Sequence, residues 1–253
     1  MRLWLLGVAA VLAAAGVAAA DDKADAVVKK AIEAQGGADT MNKYPAARFT
    51  MKGEISVMGM DLELSGDMAF VSDKFRMNIN TSVMGQPIVV HQVVNGDKGK
   101  RTVKVGDMAV QATNIEKDEI ELSRLGRQVE KLTPLLDAKK FTLRTGEDED
   151  VNGKKAALVI ATPKGLDREF KLYFDKDSGL LVKSAHQGKG PGEGGAQVDV
   201  YQESFPSEYK KVNGLQVPTR LEIHNDGKKF MTATLSDYEV LEKLDDAEFK
   251  IDD

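Results

Sequence analysis

From Ala46 onward the chain alternates hydrophobic and polar residues with a period of two, the pattern of antiparallel strands that bury one face. Phe49, Met51, Ile55 and Val57 alternate with Thr50, Lys52, Glu54 and Ser56. After a turn at Met58-Gly59-Met60-Asp61, Leu62, Leu64, Met68 and Phe70 face away from Glu63, Ser65, Asp67 and Ala69. A third run sets Phe75, Met77 and Ile79 against Arg76, Asn78 and Asn80. Further strands are expected over residues 88–94, 99–105, 141–145, 156–162, 169–174, 180–184, 198–205, 215–224 and 229–240. In the clearest hairpin, Phe170, Leu172 and Phe174 fall on one face and Lys171, Tyr173 and Asp175 on the other. Residues 175–179 supply its polar turn, and 188–195 read as a glycine-rich, flexible loop tip.

Two stretches break the rhythm and read as helices. Residues 22–35 open with acidic residues and stop at Gly36-Gly37, with an added turn over 38–43. Residues 114–138 carry Leu122, Leu125, Val129, Leu132 and Leu136 as one apolar stripe on a charged helix. Gly126 and Thr133-Pro134 are its weak points, the latter restarting a short helix. A sheet of about eleven strands with one apolar face must curl and be covered. The expected fold is therefore α+β and mostly antiparallel: a curved sheet or incomplete barrel with helices across its concave face. No linker divides it, so residues 21–253 read as a single domain.

The first twenty residues change the picture of where the protein works. A positive Met1-Arg2, an apolar run to Val17 and Ala18-Ala19-Ala20 form a secretory signal peptide, with cleavage expected between Ala20 and Asp21. The apolar core is short for a membrane span, so no integral membrane segment is expected after cleavage. The chain has no cysteine, which excludes disulfides, thiolate metal sites and a cysteine nucleophile. Its 35 basic and 40 acidic residues are interspersed, and no basic stripe with aromatics suggests nucleic acid.

Two segments carry a resemblance. Tyr173-Phe174-Asp175-Lys176-Asp177-Ser178-Gly179-Leu180-Leu181-Val182-Lys183 resembles the strand–turn–strand signature of LolA/LolB-like periplasmic outer-membrane lipoprotein-sorting proteins. Tyr209-Lys210-Lys211-Val212-Asn213-Gly214-Leu215-Gln216-Val217-Pro218 resembles the next element of that pattern. The resemblance implies an incomplete barrel closed by helices and a periplasmic carrier or chaperone that holds acyl chains of a lipid or lipoprotein in an apolar cavity. It also raises a lid-tethering role for Arg48. A non-transporting binding or sensing module of an envelope pathway, with protein partners, is the alternative.

On this reading Phe49, Met51, Ile55, Val57, Leu62, Leu64, Met68, Phe70, Phe75, Met77 and Ile79 line the ligand cavity. Leu122, Leu125, Val129 and Leu132 form the inner face of a lid helix. Methionine suits a surface that adapts to varied chains, and six of the ten, Met51, Met58, Met60, Met68, Met77 and Met84, cluster here; ordinary core filling is the competing explanation. Asp148, Asp150, Asn152 and Gly153 match half of a calcium loop. Its closing carboxylate would fall at Val159, so a hairpin turn is expected there. His91, His186 and His224 lie on separate strands, and no nucleophile elbow or phosphate loop occurs. No catalytic residue, metal or cofactor is expected.

Overall fold

The alternation from Ala46 onward builds one open antiparallel sheet of fourteen strands. The structure is a computed structural model that describes residues 21–57, 59–191 and 197–251. The expected signal peptide, Met58 and part of the glycine-rich tip lie outside the described residues. Helices α1 (Asp22–Gln35) and α2 (Ala38–Lys43) precede β1 (Ala46–Val57), β2 (Met60–Val71), β3 (Lys74–Val83), β4 (Gln86–Asn95), β5 (Lys98–Val105) and β6 (Gln111–Asn114). Helix α3 (Lys117–Glu130) and a 3-10 turn (Thr133–Leu136) lead to β7 (Phe141–Thr145), β8 (Glu149–Val151), β9 (Lys154–Pro163) and β10 (Phe170–Asp175). β11 (Leu181–Pro191), β12 (Gln197–Val212), β13 (Leu215–Asn225) and β14 (Lys228–Leu241) follow, before a C-terminal 3-10 turn, Asp246–Phe249.

Across the sheet the order is β6-β5-β4-β3-β2-β1-β14-β13-β12-β11-β10-β9-β7, with β8 added to β9. Neighbouring strands are mostly sequential hairpins. There are two exceptions: β7 skips β8 to pair with β9, and β1 meets β14 along a seam running from Ala46 opposite Leu241 to Ile55 opposite Met231. Backbones approach closely in β1 and β2. A side chain at Gly53 would strike the Thr232 carbonyl of β14, and one at Gly66 the Asn78 carbonyl of β3, so only glycine fits at either position.

One face of the sheet carries the main core. Ala24, Val28, Ala31 and Ile32 of α1 pack with Leu122 and Val129 of α3 against Leu143, Val159, Phe170, Leu172 and Phe174. Asp21 caps α1, accepting from the N–H groups of Lys23 and Ala24, and Gly36 ends the helix with φ of 129°.

Several expectations are corrected by packing that no local pattern encodes. The fourteen strands exceed the expected number because β6 and β8 are short, largely exposed edge pieces without an alternating apolar signature. Residues 188–191 belong to β11, paired with β12. The hairpin strand is buried on both faces and not on one: Tyr173 lies opposite Phe170, Leu172 and Phe174 as expected, yet Val151, Leu158, Ile160, Val182 and Phe205 form a second apolar layer around it. Asp175 is buried too, its carboxylate accepting from the Asp177 N–H at 2.9 Å.

Candidate functional site

Strand register gathers the cavity residues named above on one face. Phe49 lies opposite Met68, which lies opposite Met77; Phe70 faces Phe75, and Ile55 faces Leu62. β14 extends the rows with Leu235 beside Met51 and Met231 beside Ile55. The face divides by depth. Phe49, Met51, Leu64 and Phe75 are buried, Met51 at 3 % exposure and Leu64 at 4 %. Ile55, Val57, Leu62, Met68, Phe70, Met77 and Ile79 are half-buried. The buried members pack on Ala233 and Leu235, or on Val94, Ile115 and Ile120. The half-buried ones keep apolar surface within reach of water. Met84 points into solvent at the β3–β4 turn, 92 % exposed, so the methionine cluster contributes to the face only in part.

The helix that bears the candidate lid residues is shorter than the pattern suggested. Asn114 belongs to β6, and α3 ends at Glu130. Leu132 lies beyond the helix at φ 58°, where the chain reverses into the 3-10 turn that Pro134 helps start. Leu122, Val129 and Leu132 are buried in the main core and Leu125 packs at its edge, so in this conformation α3 is docked. Its first turn is held by an ion pair between Arg101 and Glu119. Further along, Arg124 donates to the Gly96 carbonyl at 3.1 Å, and Arg127 lies 5.5 Å from the Phe75 ring centroid. A side chain at Gly126 would meet nothing within 4 Å.

Arg48 does not reach α3. It lies on the opposite face and pairs with Glu239 at 2.9 Å and Glu248 at 3.8 Å. With Arg76 and Lys74 it fastens the C-terminal turn, whose Phe249 is fully buried against Ala69 and Val93. Farther along the same outer face lies a groove of about 620 Å³, lined by Lys52, Glu54, Glu63, Ser65, Asn80 and Arg220 among others. Sequence reasoning missed it. The available signal was Glu54 directly opposite Glu63, like charges that an ordinary strand pair avoids.

The remaining candidates are structural. Asp148 pairs with Lys176, and Asp150 accepts from the Gly153 N–H at 2.8 Å within the β8–β9 hairpin. His186 stacks on Phe170, His224 pairs with Glu222 at 2.6 Å, and His91 contacts Asn78, each on its own strand. Among the described residues no three His, Asp or Glu side chains gather as metal ligands, and no helix is long and apolar enough to cross a membrane.

No family model and no curated protein matches the chain. Solved structures do. A DUF1329 family protein from Desulfovibrio piger aligns with a TM-score of 0.52 and 16 % identity over 90 % of this chain and 97 % of its own. A putative outer membrane lipoprotein-sorting protein domain from Vibrio parahaemolyticus gives 0.53 and 12 %, covering 89 % and 97 %. A LolA superfamily protein from Nitrosomonas europaea gives 0.50 and 11 %, covering 90 % and 97 %. At these identities the likeness establishes a LolA-like fold.

Proposed function

We propose that this protein is a periplasmic carrier or chaperone that shields the acyl chains of a lipid or lipoprotein, without covalent chemistry. The observation that carries the reading is the apolar face of β1–β3, whose members Ile55, Val57, Leu62 and Ile79 stay half-buried where a finished core would close over them. Two of the solved structures that share the fold are named for lipoprotein sorting or the LolA superfamily, which supports the same class of cargo. Burial supplies the affinity, at about 25 cal/mol for each Å² of apolar surface removed from water. Residues 21–253 act as one domain, exported by the signal peptide, with α3 as the movable cover over bound chain.

Mass spectrometry of the protein purified from an envelope fraction, under native and then denaturing conditions, tests this. Co-purifying lipid or acylated peptide, released on unfolding, is the expected result. Protein that carries none, and takes up no acyl probe afterwards, overturns the carrier reading and favours a groove that receives a protein segment.

A further inference from the structure

Helix α3 carries two arginines whose hydrogen bonding is incomplete. Arg124 and Arg127 stand three residues apart, and so lie side by side on the helix surface. Arg127 Nη1 donates to Ser123 Oγ at 2.7 Å, and Arg124 Nη2 donates to Gly96. The Nε of Arg124 and both Nε and Nη2 of Arg127 are shielded from solvent and find no acceptor. Arg48, Arg76, Arg101 and Arg144 are each paired with a carboxylate, whereas among the described residues neither Arg124 nor Arg127 forms an ion pair.

The surroundings sharpen the problem. Burial is the largest influence on Arg127 and lowers its hold on the proton, Arg124 adds repulsion, and Glu130 and Asp73 pull the other way from a distance. A guanidinium cannot escape by losing its proton, and its planar fork matches the oxygens of a phosphate or carboxylate. Two such forks, close enough to repel and short of three acceptors, are arranged for an anion.

Their position says what the anion is attached to. Arg127 lies over Phe75, the first residue of the row Phe75, Met77, Ile79 on β3. That row runs for about 13 Å along the strand, from the arginines towards the half-buried end of the apolar face. We infer that Arg124 and Arg127 bind the phosphate or carboxylate headgroup of an anionic amphiphile, whose chain lies along Phe75, Met77 and Ile79. The assignment rests on the acyl-carrier reading and narrows it to acidic cargo. Because the free N–H groups are shielded, the headgroup enters as α3 lifts, and its oxygens supply the missing acceptors when the helix settles back.

Titration calorimetry on residues 21–253 with dodecyl phosphate, dodecyl glucoside and inorganic phosphate tests it. Dodecyl phosphate is expected to bind at least tenfold tighter than the neutral glucoside. The Arg124→Gln/Arg127→Gln double variant should bring its affinity down to the glucoside level, and inorganic phosphate should not bind over the same concentration range. Circular dichroism checks the fold; should the double variant not fold, Arg127→Lys keeps the charge without the fork and should lose several-fold of the preference. Equal affinity for the two dodecyl probes, or a preference that survives these substitutions, overturns the headgroup assignment and leaves the carrier reading standing. Arginine-dependent binding of inorganic phosphate as tight as that of dodecyl phosphate makes the site one for the free ion and overturns the amphiphile. Failure of both dodecyl probes to bind overturns the carrier reading and this assignment with it.

Discussion

The Asp21 carboxylate accepts two hydrogen bonds of 2.7 Å from Thr145, one from its backbone N–H and one from its hydroxyl. Its other oxygen caps α1, so one side chain both starts the helix and ties it to edge strand β7. The Thr145 bonds, backbone first, hold the carboxyl down at about 2. A folded pKa below the ordinary 3.8 stabilises the protein above that value, and the contribution is lost as pH falls from there towards 2. Asp21→Ala should lower the Tm at neutral pH and flatten the fall of Tm between pH 4 and 2, read by circular dichroism. An acid limb as steep as in the wild type would show that the clamp does not hold. Processing one residue later would remove the same clamp, so N-terminal sequencing should find Asp21 first.

His186 is expected to give a second pH response in a different window. Burial, with Arg168 adding to it, pushes the imidazole down to about 4 from 6.5. The unfolded chain then takes up the proton first, so stability is full above pH 6.5 and declines as pH falls through 6.5 towards 4. His186→Phe, which keeps a ring against Phe170, should remove most of that decline. A Tm profile unchanged between pH 7 and 4 would contradict the assignment.

Gly126 offers a direct probe of α3. A methyl group there meets no neighbour, so Gly126→Ala should stabilise the helix by about 0.5–1 kcal/mol through backbone entropy. The Tm should rise, and stopped-flow uptake of an acyl probe should slow if α3 must lift. A higher Tm with unchanged uptake would place entry elsewhere.

Two leucines two residues apart on β2 separate lining from core. Leu64 is buried, and Leu64→Asp leaves a carboxylate without a partner, which costs about 3 kcal/mol or more and should unfold the protein. Leu62 is half-buried, so Leu62→Asp should fold and lose acyl-probe binding by at least tenfold. Glu63→Gln, on the outer face between them, should change neither. A folded Leu62→Asp protein that binds normally would remove this part of β2 from the cavity.

What the sequence disclosed and what it hid divide along a physical line. The alternation of Phe49, Met51, Leu64 and Phe75 with polar neighbours places each on the inner face, since period and pleat are local. The same rule puts Tyr173 on the opposite face from Phe170, Leu172 and Phe174, where it lies, but cannot show that this face is covered too, because the cover comes from Val151 and Phe205, remote in sequence. Gln111–Asn114 carries no apolar alternation and becomes a strand only through pairing with β5. The pattern does not single out Arg124 and Arg127, since outside its apolar stripe it shows only a charged helix. Only the approach of Gly96 and Phe75 shows that their inner N–H groups are shut away from water.

The seam between β1 and β14 sets the order in which the sheet can be completed. β1 finds β2 as soon as a short hairpin closes, but its other edge must wait for the strand that ends at Leu241. Until then Met51 and Ile55 lack Leu235 and Met231 beside them, and a strand with a buried apolar face holds an unpaired edge. Pairing so distant in sequence is slow. A chain with that interval built into its topology is one that a general chaperone can hold, or a translocation channel can pass, before it commits to its final shape.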